Sequence, residues 1–279
     1  MDSPALRRLI EMALEEDIGP GDITTLPLIS PDQTGLAKIV AKESMILAGL
    51  FVVRKVFSML DAGIRVRSSR KEGESVQVGS VVLEADGNLR ALLTGERTAL
   101  NFLQRLCGIA THVSDYMKVV KGKKVKIVDT RKTTPGWRFL EKYAVRMGGA
   151  QNHRMGLYDG ILIKDNHIQV CGGVREAVTQ IQKHISHLHK IEVEATDLNQ
   201  VREALDSGAD VIMLDNMDIP QIREAVTWIA GRALVEVSGT VRKKDLPLLA
   251  ECGVDLISIG ALTHSARSVD LSMDIVPIA

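Results

Sequence analysis

Aromatic side chains are scarce in this 279-residue chain: two Trp, three Tyr and four Phe, 3% of the sequence. Proteins that hold single-stranded nucleic acid stack bases on aromatic faces, so this composition argues against that class. Cysteine is also sparse. Cys107, Cys171 and Cys252 are odd in number and widely spaced, which supports neither a disulfide framework nor a CxxC metal pair and points to a reducing cytoplasmic compartment. No apolar run approaches the ~20 residues of a membrane span, and the N-terminal residues lack the apolar segment of a signal peptide. Net charge is missing altogether, with 35 Lys and Arg against 35 Asp and Glu. A neutral chain has no broad field to draw it to nucleic acid or to an anionic membrane. What remains, 45% hydrophobic and 25% charged residues, is ordinary for a globular protein long enough for one large domain or two modest ones.

One stretch departs from this neutral background. Asp129 to His167 reads DTRKTTPGWRFLEKYAVRMGGAQNHRMGLYDGILIKDNH. Here Arg131, Lys132, Arg138, Lys142, Arg146, Arg154 and Lys164 outnumber Asp129, Glu141, Asp159 and Asp165 by seven to four. Cations gathered locally in a neutral chain predict a pocket for a small polyanion.

Elements follow from patterning. Ser3-Pro4 is an N-cap and first-turn pair for a helix whose Leu6, Leu9, Ile10, Ala13 and Leu14 share one stripe. Short apolar runs at 36–50 and 63–85, punctuated by Gly73, Gly79 and Gly87, predict antiparallel strands, with a helix over 51–60 between them. A long helical pattern opens at Asn88, and Gly108 is read as a break near its middle. From Val125 onward, apolar runs at 125–128, 161–163, 191–193, 211–214, 234–237 and 256–259 alternate with helical patterns. That alternation predicts parallel strands with crossover helices. The runs end in Asp129, Lys164, Glu194, Asp215, Ser238 and Gly260, and in β/α barrels chemistry gathers at such carboxyl ends. Six strands are fewer than the eight of a complete barrel, and a doubly wound open sheet is the structural alternative. The domain boundary falls near 107–112.

DTRKTTPG, GGAQNHRMGLYDGILIKDNH, EVEA, IMLDN, EVSGTV and GVDLISIGALTHS stand in an order that resembles the quinolinate phosphoribosyltransferase (decarboxylating) family, also called nicotinate-nucleotide pyrophosphorylases. The resemblance runs from EEDIGPGDITT to DLSM and so covers nearly the whole chain. It implies an α/β protein. An N-terminal α/β sandwich domain (1–108, with a C-terminal return at 267–279) would precede an incomplete barrel of about seven strands over 109–266. It implies a reaction joining quinolinate to phosphoribosyl pyrophosphate, with release of pyrophosphate and CO₂ to leave nicotinate mononucleotide. It also implies a homodimer with shared active sites and Mg²⁺ as cofactor.

Each motif has a plain structural reading beside the functional one. Arg131 and Lys132 alone would be a solvated basic turn. With Thr130 beside them they match the family's dicarboxylate site, where an arginine fork suits a planar dianion. His153-Arg154 after Gly148-Gly149 would otherwise be a helix end, but in the family these positions face the pyridine dicarboxylate. Lys164 ends an apolar strand and requires an anion or a carboxylate such as Glu194 or Asp215. Those two acids resemble the family's pair around the ribose hydroxyls and Mg²⁺, an ion that usually takes only one or two protein carboxylates. Ser238-Gly239-Thr240, before a helix starting near Arg242, and Gly260-Ala261 resemble the 5-phosphate pocket, where amides at a helix start receive a phosphate. Arg97, on the long helix, is implied to reach the quinolinate of a neighbouring subunit. His184, His187 and His189 lack the separated second ligand pair of a zinc site and read as a polar helix end. Three rivals share parts of this pattern. They are a molybdenum-transport-associated paralogue, a barrel aldolase using Lys164 as a Schiff base, and a non-catalytic phosphosugar-binding protein.

Overall fold

The computed structural model describes residues 3–278. The chain begins with α1 (Pro4–Ile18), α2 (Thr25–Leu28), β1 (Thr34–Ala41), β2 (Met45–Ile46), α3 (Leu50–Leu60), β3 (Arg65–Arg67), β4 (Ser75–Val76), β5 (Val81–Asn88) and α4 (Leu89–Val119). β6 (Lys126–Val128), α5 (Arg138–Met147), β7 (Ile161–Ile163), α6 (Asp165–Cys171), α7 (Val174–Gln182), β8 (Ile191–Ala195), α8 (Leu198–Asp206) and β9 (Val211–Asp215) follow. The chain closes with α9 (Ile219–Ile229), β10 (Leu234–Ser238), α10 (Leu246–Ala250), β11 (Leu256–Ser258), α11 (Ala261–His264) and β12 (Leu271–Ile278). Packing divides it into two compact units. One holds the residues up to Ser114, Thr134–Gly149 and those from Ser265; the other holds Asp115–Thr133 and Ala150–His264.

The first unit is built on an antiparallel sheet in the order β12-β1-β5-β3. β1 alternates buried and half-exposed residues, with Ala37, Ile39 and Ala41 fully buried, as a sheet covered on one face demands. β12 pairs with β1 along its whole length, Thr34 opposite Ile278 and Ala41 opposite Leu271. α1 is capped by the Ser3 hydroxyl, which accepts from Leu6 N at 3.2 Å, and it buries Leu6, Ile10 and Leu14.

α4 is unbroken through Gly108, contrary to the sequence expectation. The glycine answers packing instead. A Cβ there would overlap the Arg267 carbonyl oxygen, so the helix needs a bare backbone where the C-terminal segment crosses it. α5 belongs to the first unit, although the sequence boundary assigned 109–266 to the barrel. Tyr143 meets Phe51 edge to face at 5.0 Å, Trp137 stacks on Phe102 at 4.6 Å, and the fully buried Glu141 carboxylate pairs with Arg105 at 3.1 Å. An apolar stripe and an internally answered charge hold this helix where its neighbours are.

The second unit carries six parallel strands in the order β6-β11-β10-β9-β8-β7. They coincide with the six apolar runs to within two residues. Gln151 adds a seventh position beside β6. Its N–H donates to the Ile127 carbonyl at 2.9 Å, and its carbonyl accepts from Asp129 N at 3.2 Å. The result is an incomplete barrel. Asp197 caps α8 by accepting from Asn199 and Gln200 amides, and Asp218 and Gln221 cap α9 reciprocally. The helix expected near Arg242 is a single 3₁₀ turn, Lys243–Asp245, leading into the five-residue α10. Among the described residues no helix is long and apolar enough to cross a membrane.

Gly108→Ala is expected to lower unfolding free energy by at least about 2 kcal/mol, because neither helix backbone nor crossing carbonyl can move cheaply. Urea denaturation checks this, and an unchanged midpoint would refute the packing account.

Candidate active site

The site is assembled from strand ends. On β8, β9 and β10, Val193, Ala195, Ile212, Leu214, Val235 and Val237 are buried apolar residues. Their neighbours turn the other way, as the two-residue period of a strand requires. Glu194, Met213, Asp215, Glu236 and Ser238 thereby line a cavity of about 560 Å³, with Leu162 and Ser258 from the adjoining strands and Lys164 just past the end of β7. Thr130, Arg131 and Lys132 after β6, His153 and Arg154 after Gln151, and Asn216, Gly239 and Thr240 complete the wall. Every lining residue belongs to the second unit.

The structure brings together most of the residues singled out from sequence, Thr130, Arg131, Lys132, His153, Arg154, Lys164, Glu194, Asp215 and Ser238 to Thr240. Gly260 stands just behind Lys132: a Cβ there would lie 2.8 Å from Lys132 Cδ, so the bare glycine leaves room for the lysine stem. Ala261 is the first residue of α11. Arg97 is not part of this wall. It is an exposed residue of α4 and lines a separate cavity of about 330 Å³ in the first unit, beside Asp17, Asp22 and Glu96.

Acids behind the cavity, two of them buried, hold the cationic segments in place. Asp129, with no exposed surface, accepts from Asn152 Nδ2 at 2.6 Å and from His153 N at 2.9 Å, which ties the NHR segment to the end of β6. Asp159 accepts from the Met155 and Gly156 amides at 2.7 and 2.8 Å and folds the loop after Arg154. Arg154 Nη1 in turn donates to the Gly160 carbonyl at 2.9 Å. Glu141 accepts from Thr134 N at 3.1 Å and Thr134 Oγ1 at 2.8 Å, pinning the far end of the TRKTTPG turn. The Lys132 carbonyl accepts from Thr263 Oγ1 at 2.7 Å.

The electrostatics are uneven by design of the backbone. Lys164 Nζ meets Glu194 Oε2 at 2.6 Å, so the carboxylate required for that lysine is Glu194 rather than Asp215. Arg154 is held below the usual arginine range first by burial and then by the charge of Arg131 in the same cavity. Like charges kept together in a half-buried wall are stabilised by an anion between them. Glu236 moves the opposite way. Burial, and then the Glu192 carboxylate beside it, push its pKa up to about 7.

Sequence reasoning passed over Asn216, Glu192 and Glu236. Asn216 adopts a left-handed φ of 54°, donates from Nδ2 to Asp215 at 2.8 Å, and accepts from Thr240 N at 3.3 Å. It thus joins the acid at the end of β9 to the Ser-Gly-Thr loop after β10. The Thr240 amide is therefore engaged, and the loop presents its groups through Gly239 (φ 122°) rather than from a helix start. The alternating letters EVEA and EVS could have signalled the two glutamates, since period two places Glu192 with Glu194 and Glu236 with Ser238 on one strand face.

Comparison with known proteins adds a family. The model described as quinolinate phosphoribosyl transferase, N-terminal domain, matches residues 22–107, and that of the C-terminal domain matches residues 109–274. The chain is 44% identical over 275 residues to the probable nicotinate-nucleotide pyrophosphorylase (carboxylating) of Bacillus subtilis, covering 99% of this chain and 95% of that one. The crystal structure of NadC from Streptococcus pyogenes is 39% identical with a TM-score of 0.95 and full coverage of both chains. That of the nicotinate-nucleotide pyrophosphorylase from Francisella tularensis has a TM-score of 0.92 at 39% identity, over 99% of this chain and 98% of that one.

Gly239→Ala is expected to distort the loop, because a Cβ would overlap Asn216 Oδ1 and the φ of 122° disfavours any side chain. The expected loss is about 1–3 kcal/mol. Thermal unfolding measures it, and a loss no larger than that of a surface substitution would argue against the Asn216 link.

Proposed function

The chain belongs to the quinolinate phosphoribosyltransferase family, and we propose that the barrel cavity performs the family's reaction with the residues named above. The enzyme is a pentosyltransferase that transfers phosphoribosyl from phosphoribosyl pyrophosphate to quinolinate with decarboxylation, in the synthesis of NAD. The observation that carries the assignment of roles is the confinement of Arg131 and Arg154 with Lys132 and Lys164 in one cavity. Quinolinate is a planar dianion and the second substrate carries a phosphate and a diphosphate, so both need such a wall.

In this reading Arg131, Arg154, His153 and Thr130 receive the two carboxylates, and Lys132 and Lys164 answer the phosphates. The pyridine nitrogen forms a bond to the anomeric carbon as the bond from that carbon to the diphosphate oxygen breaks, the electron pair leaving with pyrophosphate. Positive charge grows on the ribose, and the carboxylates of Glu194 and Asp215 stand where they can stabilise it. The glycosylated ring is cationic. It accepts the pair left when the bond to the 2-carboxylate breaks; carbon 2 then takes a proton and CO₂ departs. The chemistry calls for placed charge more than for an acid–base pair.

Glu194 and Asp215 are hard oxygen donors at neighbouring strand ends, and Lys164 already engages one of them. That suits Mg²⁺, which binds by one or two carboxylates and otherwise through substrate oxygens and water. When bound, Mg²⁺ would neutralise diphosphate charge. The Ser238-Gly239-Thr240 loop with Gly260 and Ala261 would take the 5-phosphate. Three free thiols fit a reducing cytoplasm.

The direct test supplies purified protein with Mg²⁺, phosphoribosyl pyrophosphate and either quinolinate or nicotinate. Nicotinate mononucleotide is expected from quinolinate, with kcat/KM for nicotinate lower by at least ~10³-fold, since the cations meant for the missing carboxylate stay unpaired. Comparable efficiency with both acids would sink the dianion reading.

Arg97 would act from a partner subunit in a C₂ dimer, each first unit serving the other chain's barrel. Arg97→Ala and Lys164→Ala proteins, each inactive, are mixed and allowed to exchange subunits. Equal amounts give about half mixed dimers, each with one site carrying neither change, so about a quarter of wild-type activity returns. No recovery despite exchange verified by mass would place Arg97 outside the partner's site.

A further inference from the structure

Two carboxyl groups lie against each other beside His153. Glu192 comes from β8 and Glu236 from β10, and they are 8% and 2% exposed. Each has an Oε1 atom that is buried without a donor among the described residues. Two buried carboxylates in contact, each with an oxygen lacking a donor, repel one another and forfeit hydrogen bonding. One proton between them removes both defects. The deeper Glu236 is where that proton belongs, and its raised pKa of about 7, set first by burial and then by Glu192, agrees with this.

The His153 ring continues the chain of hydrogen bonds. Its Nδ1 accepts from the Arg154 amide at 2.7 Å, so the ring proton sits on Nε2, which faces Glu192 Oε2 at 3.0 Å and Glu236 Oε1 at 3.8 Å. A protonated Glu236 holds Glu192, Glu192 holds the His153 ring, and the ring holds the backbone of Arg154. A positively charged His153 would have to give up the Arg154 amide.

We propose that Glu236 is a positioning residue of the quinolinate site, a neutral carboxylic acid whose proton is donated to Glu192 and which sets, through His153, where Arg154 stands. This rests on the quinolinate reading above. Ionising Glu236 adds a negative charge to a wall that must receive a dianion. The groups around it are Glu192 and, further along the same strand, Glu194; Met213 and then Asp215 from β9; Ser258 from β11; and His153, with Arg131 and Arg154 on the same cavity wall. Quinolinate binding therefore weakens as pH rises through Glu236's ionisation, while both quinolinate carboxyls stay ionised throughout. His153, Glu192 and Glu236 each offer one ligand atom, and these atoms, all within 4.8 Å of one another, have the spacing of a divalent-metal site. The proton explains the His153–Glu192 hydrogen bond directly and needs no ion, so the metal is the competing outcome.

The test measures quinolinate KM and kcat from pH 6 to 8.5 at saturating phosphoribosyl pyrophosphate and Mg²⁺, for wild type, Glu236→Ala and Glu236→Gln. Wild-type KM is expected to rise about tenfold across this range, with kcat moving much less. Glu236→Ala is expected to raise KM about tenfold at pH 6.5, by leaving Glu192 Oε1 without a donor. Glu236→Gln, whose amide donates as the protonated acid does, is expected to recover most of that loss and to flatten the rise with pH. Folding gives a readout independent of turnover. A carboxyl whose folded pKa of about 7 exceeds its ordinary value of 4.5 contributes stability that is full at low pH and lost as pH rises through the folded pKa. The melting advantage of Glu236→Gln over wild type should thus grow from pH 5 to pH 8. Infrared spectra of the wild type, which need no variant, should lose a protonated-carboxyl C=O band between pH 6.5 and 8.5. If wild type fails to turn over quinolinate, the functional reading fails while melting and infrared still report on Glu236. A flat wild-type KM, an unchanged rise in Glu236→Gln, a missing infrared band, or stoichiometric zinc or iron that Glu236→Gln abolishes would each overturn the proposal.

Discussion

Confinement of like charge is the constraint on which this protein depends. Arg131 and Arg154 share one cavity with Lys132 and Lys164, and burial together with mutual repulsion lowers the proton affinity of Arg154. Flexible lysines and arginines would relax into solvent unless their backbones were fixed. Asp129 and Asp159 supply that fixation, each accepting two hydrogen bonds from the segments that carry or flank the cations. Acids that never face the cavity thus decide how closely its cations are held.

The barrel pays for this with its interior. In a complete β/α barrel the inside is packed with branched apolar residues. Here the inward positions of β8, β9 and β10 are Glu194, Met213, Asp215, Glu236 and Ser238, and the apolar set Val193, Ala195, Ile212, Leu214, Val235 and Val237 is buried on the other face. The hydrophobic stabilisation comes from that outer face, which leaves the inner one free for polar groups. A polar interior has to balance its own charge, and the Lys164–Glu194 ion pair and the raised pKa of Glu236 are two ways in which it does so.

Much of this was legible in the letters. The six apolar runs from Val125 onward became β6 to β11, because each strand buries an apolar face even where, as on β8 and β10, its alternate positions carry polar groups toward the cavity. Cations at strand ends identified the cavity wall, and Ser3-Pro4 marked the start of α1. Other readings failed for physical reasons. Gly108 reads as a helix breaker in isolation, but helix propensity is a weak prior, and contact with the Arg267 carbonyl makes the same residue necessary inside a continuous helix. The stretch after Thr240 has helix-compatible composition yet forms a 3₁₀ turn, so the phosphate loop relies on Gly239 and Asn216 instead. α5 follows a barrel strand in sequence, but Tyr143, Trp137 and Glu141 find their partners in the first unit.

By itself the sequence determined which residue types were available, where strands would end, and which family the chain belongs to, because periodicity, strand termini and motif order are local and linear properties. Only the tertiary structure decided which acid meets which base. Lys164 had two carboxylates to choose from and took Glu194; Glu192 and Glu236, 44 positions apart by their numbering, came together only because β9 separates their strands in a curved sheet. Charge pairing and proton affinity depend on distance and burial, and a chain acquires both only when it folds.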